Sequence, residues 1–501
     1  MPGTLCVDAI GATVRIDGTA LTPAQRDLVE AAWRDAVSSG SQVADGVGAV
    51  DGVDGVDAVV TPLLGVDDAD MLADLSQRVT LAAIEARRGE VWMLHAAGLA
   101  LDDGRVVALV GPSGRGKTTA ALTLGAAFGY VSDETVAIDA DGRVWPYRKP
   151  LSVIDDPAAA KAQRTPSDAG MRGLPEAPLQ LAAVVLLDRR ADGPDGPDGP
   201  DALDGPVIEE VDMGDALGDL VEQTSYLPSL EAPLQLIAGH LARIGGVKRV
   251  VYREAATLVD VLPALAGAPE GEAESAGAVA PAVAVMPAVT GMPAAPGVPA
   301  VAVAAVPAVD DAALLSPEVP GYFRTPTQDA VALADPDRIA VLQVDADGAG
   351  TVRVLAGVAP ALWRAANGAS GERLVAAAVD AYGTPGSDRD AAVLVGAALA
   401  QLVDGGLIEH RLPRWGIVST VPWVDSGDRV VMLPPGGDGL ARALDTSGTI
   451  IWRVLYERGP IGMDALADAV AEVAGVSAAD VAPTLPGFLG ELADVGVARL
   501  S

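Results

Sequence analysis

The residues with the most definite chemistry form one run, Gly111-Pro112-Ser113-Gly114-Arg115-Gly116-Lys117-Thr118. It is a complete match to the phosphate-binding pattern G-x-x-x-x-G-K-[ST]. Backbone amides of Ser113 to Lys117 must converge on phosphate oxygens, and a side chain at Gly114 or Gly116 would block that approach. Lys117 supplies a point charge for the β and γ phosphates, and the Thr118 hydroxyl is placed to ligate Mg2+. The expected ligand is ATP or a related nucleotide with Mg2+. Its binding set is Gly111, Ser113, Gly114, Arg115, Gly116, Lys117, Thr118 and Thr119.

Three more groups are candidates. Asp133 and Glu134 close an apolar stretch downstream of the loop, where paired carboxylates can hold magnesium or take a proton from an attacking hydroxyl. The competing reading is a strand end carrying two solvated acids. His95 lies in Trp92-Met93-Leu94-His95-Ala96-Ala97. A histidine in such a stretch is more often a packed core residue than a catalytic one.

The elements that must position these groups are α/β material. Leu5–Ile16 has the pattern of a strand, and Thr22–Ser38 and Asp67–Arg88 have helical spacing. Val91–Ala100 and Arg105–Val110 flank the turn Asp102-Asp103-Gly104 as a hairpin. A helix over Thr118–Ala127 carries its positive N-terminus toward the bound phosphates. Tyr130–Ile138 is expected as a strand, and Leu179–Leu187 is a continuous apolar run fit for a buried one.

Of the 501 residues, 50% are apolar but only 3% aromatic, so cores must be built from small aliphatics. A net charge of −34 repels phosphate backbones and anionic lipid, which argues against nucleic-acid and membrane partners. The single cysteine, Cys6, rules out an intramolecular disulfide, and no basic segment followed by an apolar stretch opens the chain. The expected location is cytoplasmic.

Residues 276–309 carry no charge but six prolines, Pro281, Pro287, Pro293, Pro296, Pro299 and Pro307. A membrane helix and an Ala/Pro/Val linker are the two readings. The prolines favour a linker over 267–318. Asp45–Val56 and Asp192–Gly205 are acidic repetitions expected as surface loops. Beyond the linker the chain repeats itself: Leu355 to Trp363-Arg364 matches Leu444 to Trp452-Arg453. Each copy continues with a second and a third helical stretch, and strand-like segments come first in both. Trp363 and Trp452 have the spacing of core anchors, with ligand contact as the other reading.

The run from His95 through Val153 resembles HPr kinase/phosphorylase and its smaller relatives found near peptide-modifying enzymes. The resemblance lies in His95, the Gly-rich loop, Val131-Ser132-Asp133-Glu134, and Trp145-Pro146-Tyr147-Arg148-Lys149-Pro150-Leu151-Ser152. It implies an α/β P-loop domain over 1–266 in which Asp133 is the base toward a serine hydroxyl. Glu134 takes the place of the second acid and His95 that of the catalytic histidine. Where the family carries a magnesium-binding Glu before Arg-Gly-Leu, Met171 precedes Arg172-Gly173-Leu174. The family's arginine-bearing loop has no counterpart.

The two C-terminal copies, 319–412 and 427–501, resemble the small peptide-binding domain typified by PqqD. That resemblance implies two small α+β winged-helix-like domains, each taking a precursor peptide along a sheet edge. The combined expectation is an ATP-dependent kinase acting on a hydroxyl of a ribosomally made peptide or small protein. Lys117, Asp133 and His95 would be catalytic, and Thr118 and Glu134 would hold the metal. The alternative is a nucleotide-binding scaffold without phosphoryl transfer, supported by the two departures above. A transport ATPase would need a Leu-Ser-Gly-Gly signature, which the chain lacks.

Overall fold

The computed structural model describes residues 3–38, 55–112, 116–153, 162–190, 205–267, 304–305, 318–334, 336–345, 348–386, 390–435 and 440–501. Ser113, Gly114 and Arg115, nearly all of both acidic repetitions, and most of the Ala/Pro/Val segment lie outside the described residues. Contacts divide the chain into two units. The first is Met1–Ala305 with Thr327–Val354, and the second is Val306–Pro326 with Leu355–Ser501.

The first unit opens with a hairpin rather than the single strand expected over Leu5–Ile16. Strands β1 (Thr4–Ala9) and β2 (Ala12–Asp17) pair antiparallel, because Ile10 and Gly11 both take positive φ and reverse the chain. Helix α1 (Pro23–Trp33) begins at a Thr22–Gln25 capping box. After β3 (Ala58–Val60), helix α2 (Asp68–Ala86) is N-capped by Asp67. Trp33, Met71 and Leu75 anchor the small core these elements share.

The chain continues through β4 (Trp92–Leu94), β5 (Ala96–Ala100), β6 (Arg105–Val110), α3 (Lys117–Gly125), β7 (Gly129–Ser132), β8 (Val136–Ile138) and β9 (Val144–Trp145). A short hairpin, β10 (Leu151–Val153) and β11 (Ala162–Arg164), follows. Then come β12 (Gln180–Arg189), β13 (Val207–Val211), α4 (Met213–Glu222), β14 (Thr224–Ser225), α5 (Pro233–Arg243), β15 (Val247–Tyr252) and α6 (Leu262–Leu265). Six strands form a sheet in the order β13-β15-β12-β6-β5-β7, and four form another in the order β14-β4-β8-β9. In the larger sheet β15, β12 and β6 run parallel. Their buried positions are apolar because helices cover both faces: residues of α3 in one core, residues of α4 and α5 in another. The expected α/β class is what this unit displays.

Strands β16 (Ala304–Ala305), β18 (Asp329–Leu333), β19 (Arg338–Val344) and β20 (Gly350–Leu355) make a further sheet, while the intervening β17 (Gly321–Arg324) pairs elsewhere. The expected boundaries assign β16 to the linker and β17 to β20 to the first repeat, whereas the contacts assign Thr327–Val354 to the first unit. The reason is physical. Val331, Leu333, Ala340 and Leu342 enter the same core as Leu217, Leu234 and Ile237. Polar clamps add to this. Helix α5 starts after Ala232, which supplies no side-chain cap. The buried carboxylate of Asp329 does that work instead, accepting the Leu234 and Gln235 amides at 2.8 and 3.1 Å and the Gln235 side chain at 2.8 Å. Arg338 forks onto Asp212 at 2.6 and 2.7 Å, and Asp212 is itself the N-cap of α4. That guanidinium holds the Asp212 carboxyl down at about 2.

The second unit continues with α7 (Ala359–Ala365), β21 (Asn367–Ala369), α8 (Gly371–Tyr382), α9 (Ala391–Asp404) and β22 (Ile408–Arg411). Next come β23 (Trp415–Ile417), β24 (Trp423–Asp425), β25 (Val430–Met432), β26 (Arg442–Ala443), α10 (Thr446–Arg458), α11 (Met463–Ala474), α12 (Ala478–Val481), α13 (Leu485–Asp494) and β27 (Ala498–Leu500). The repeat is visible in the pairing. β17 pairs with β22, and β23 pairs with β27, so the first strand of each copy meets its last. Strand β23 precedes the expected start of the second copy at 427 and pairs with β27. Trp363 is 3% exposed and Trp452 fully buried, and both are core anchors. Among the described residues no helix is long and apolar enough to cross a membrane.

Replacing Asp329 with Ala should destabilise the first unit by about 1–3 kcal/mol, since it strands two amides of α5 without an acceptor. Urea unfolding of the whole chain, with hydrogen exchange at Leu234 and Gln235, measures it. Unchanged exchange at those two amides would show that α5 does not depend on Asp329.

Candidate active site

The two strands expected to be continuous over Val91–Ala100 and Tyr130–Ile138 are both broken, and the breaks lie side by side. Leu94 pairs with Val136 in the smaller sheet, and Gly98 pairs with Ser132 in the larger one. Between these pairings His95-Ala96-Ala97 stands opposite Asp133-Glu134-Thr135. Each strand leaves one sheet there and enters the other. The Ala96 amide donates to the Glu134 carbonyl at 3.2 Å, and the His95 amide to the Gln223 carbonyl at 2.7 Å. Buried Ser132 turns the second strand by accepting the Glu134 and Thr135 amides, both at 3.2 Å. Gly98 allows close packing beside the break, because a Cβ there would meet Val136 Cγ2 at 3.0 Å and Val131 Cβ at 3.1 Å.

A cleft of about 480 Å³ opens at this crossing. It is lined by His95, Gly116, Lys117, Thr118, Thr119, Asp133 and Glu134, and by Lys149 and Arg189. Gly111 follows β6 and accepts a hydrogen bond from the Lys117 ammonium. Gly116 has φ near +89°, a left-handed conformation that favours glycine, and starts α3. Thr118 and Thr119 are exposed on the first turn of that helix.

The groups in the cleft hold one another in place. The Tyr130 phenol donates to Asp133 Oδ1 at 2.8 Å, and burial together with that carboxylate pushes the phenol well above its ordinary pKa. Lys149 Nζ lies 3.0 Å from Glu134 Oε2. Burial opposes the charge on Lys149, but Asp133 and Glu134 outweigh it and hold the ammonium above its ordinary value. Lys149 is fixed by its neighbours. Tyr147 reaches the Thr80 hydroxyl at 2.7 Å, and Arg148 donates to the Tyr130 and Arg172 carbonyls at 2.7 and 3.0 Å. Burial lowers the Lys117 pKa. Its surroundings also lower the His95 pKa, through burial first and then the positive charge of Lys117.

His95 is thus a cleft residue with an exposed side chain, although the stretch around it is buried. His240 takes the role expected of a histidine in an apolar environment. It is 1% exposed, stacks on Trp92 at 5.8 Å, and is pushed down to about 4 by burial and Arg243.

Lys149 and Arg189 were not singled out from the sequence, yet a signal for both existed. The chain has only four lysines, and two of them, Lys117 and Lys149, line the cleft. Arg189 ends β12, the parallel neighbour of β6. Ligands of open α/β sheets bind beyond the carboxyl ends of such strands. Met171 is 8% exposed and packed with Leu124 and Tyr130 in a core, so that position contributes nothing to the cleft.

Among the described residues no group of three or more His, Cys, Asp or Glu side chains gathers as a metal cage. Two carboxylates and the Thr118 hydroxyl border the cleft. That set fits magnesium, which binds through one or two carboxylates together with substrate phosphates.

No protein-family model matches the chain, and no curated protein matches it. Among solved structures, the Hpr(Ser) kinase/phosphatase from Coxiella burnetii aligns at 14% identity with a TM-score of 0.20. The alignment covers 34% of this chain and 92% of that one. A superposition that loose bears on neither function nor mechanism.

His95 should titrate below the ordinary histidine value of about 6.5. Lys117→Ala should move its midpoint upward, because a removed positive neighbour no longer disfavours the imidazolium. Histidine ring NMR against pH reads both, and a wild-type midpoint at or above the ordinary value would contradict the arrangement.

Proposed function

We propose that the first unit transfers the γ-phosphate of ATP to a hydroxyl of a ribosomally synthesised peptide or small protein held by the repeated C-terminal modules. The observation that carries this reading is the convergence of Lys117, Thr118, His95, Asp133 and Glu134 on one cleft beside the phosphate loop. Lys117 and the loop amides hold the β and γ phosphates. Asp133, oriented by Tyr130, takes the proton as the acceptor oxygen bonds to the γ-phosphorus and the bridge to ADP breaks. His95, kept neutral at pH 7, orients the phosphate or the acceptor hydroxyl. Thr118 and Glu134 would hold Mg2+, which neutralises phosphate charge when bound. The tandem copies support peptide capture by strand addition, in which main-chain bonds give affinity and side-chain pockets give register.

A second reading is favoured by the partners that both acids already have, Tyr130 on Asp133 and Lys149 on Glu134. A nucleotide-dependent scaffold that presents the peptide to another enzyme would keep them so occupied.

Mass spectrometry of a peptide encoded beside this protein, incubated with the chain, ATP and Mg2+, separates the two. The kinase reading expects a gain of one phosphate. Asp133→Asn should slow it by roughly 100-fold or more, and Lys117→Ala should remove it. Nucleotide binding with an unmodified peptide under every condition would leave the scaffold in its place.

A further inference from the structure

The cleft holds more positive charge than a phosphate loop requires. Lys117, Lys149 and Arg189 border it against two carboxylates, in a chain whose net charge is −34. The three cations come from separate elements: the start of α3, the segment after β9, and the carboxyl end of β12. Each is tethered by protein on one side. Lys117 is bonded to the Gly111 carbonyl, Lys149 to Glu134, and Arg189 through Nε to the Arg253 carbonyl at 3.0 Å. An ammonium carries three N–H donors and a guanidinium five, so each tether leaves donors over for a ligand. Arg189 also stands against the phosphate loop itself, with its Cδ 3.3 Å from where a Cβ on Gly116 would be.

Lys117 is buried, and an anion placed beside its ammonium offsets the cost of holding that charge away from water. One such anion is the terminal phosphate of a nucleotide. Asp133 and Glu134 would repel it if Lys117 acted alone.

We propose that Lys149 and Arg189 act with Lys117 as ligands of the terminal phosphate, so that the cleft distinguishes a nucleoside triphosphate from a diphosphate. The inference rests on the nucleotide-binding reading above. It assigns two residues to the γ-phosphate that the phosphate-loop pattern does not include. Arg189 provides planar, multi-donor contact to phosphate oxygens, whereas Lys149 is a point charge shared with Glu134.

The test uses the whole chain and a fluorescent nucleotide displaced by ATP or by ADP, in EDTA so that protein cations alone are read. The wild type should bind ATP more tightly than ADP. Lys149→Gln and Arg189→Gln should each reduce the ATP-to-ADP affinity ratio by roughly tenfold, with ADP affinity near the wild-type value. Arg189→Lys and Lys149→Arg should recover part of the ratio. Because Lys149→Gln also releases Glu134, the double variant Lys149→Gln/Glu134→Gln should keep a lower ratio than Glu134→Gln alone. Equal ratios in those two variants would remove Lys149 from the set. A wild-type ratio in both single variants, or equal weakening of ATP and ADP, overturns the inference while leaving nucleotide binding intact. A wild type that binds neither nucleotide, in EDTA or with Mg2+ restored, overturns the reading of the site itself, which is a separate outcome.

Discussion

One hydrogen bond, from the Ala96 amide to the Glu134 carbonyl, spans the place where two neighbouring strands both change sheets. A β-strand in a sheet interior spends its backbone on its neighbours and its side chains on the core. At a crossing the ladder is interrupted and side chains turn outward. His95, Asp133 and Glu134 occupy that interruption, and the chain on either side of it is buried. The phosphate loop ends its own strand, β6, next to β5, so the crossing and the anion site meet without further adjustment. Ser132 accepts two amides at the crossing, and Gly98 leaves room there for Val131 and Val136.

Charge in the cleft is organised by pairing. Each carboxylate has a specific partner, Tyr130 or Lys149, and each cation has a tether. The partners that enforce this geometry are buried, Tyr130 fully and Arg148 nearly so. Low local dielectric strengthens these contacts and makes the loss of any one costly. The contrast between His95 and His240 shows how the same side chain serves two purposes. Both are held below the ordinary histidine value, but one is walled in by Trp92 and Arg243 while the other opens on the cleft.

The sheet formed by β18, β19 and β20 lies in the first unit up to Val354. Its order recurs in β24, β25 and β26 of the second copy, yet its apolar face is absorbed into the core beside α4 and α5. Asp329 and Arg338 stabilise the N-termini of those two helices. Gln223, just past the end of α4, then accepts the His95 amide, so the docked strands and the crossing share one supporting helix.

Local chemistry was legible from the residues alone. The Gly-Lys-Thr run, the Thr22 and Asp67 helix starts, the apolar run of β12, and the matching Trp363 and Trp452 helices each depend on spacing or propensity within a short window. Those signals act between residues close along the chain, so the sequence contains them whole. The breaks at His95 and Asp133 were hidden, because an apolar run has the same pattern whether it stays in one sheet or passes into another. Lys149 and Arg189 were hidden for a related reason: their place in the cleft is set by Tyr147, Arg148 and the pairing of β12 with β6. The assignment of Thr327–Val354 to the first unit likewise depended on which exposed apolar face it could cover. Such long-range choices are made by burial and backbone pairing between distant segments, and only the folded chain brings those segments together.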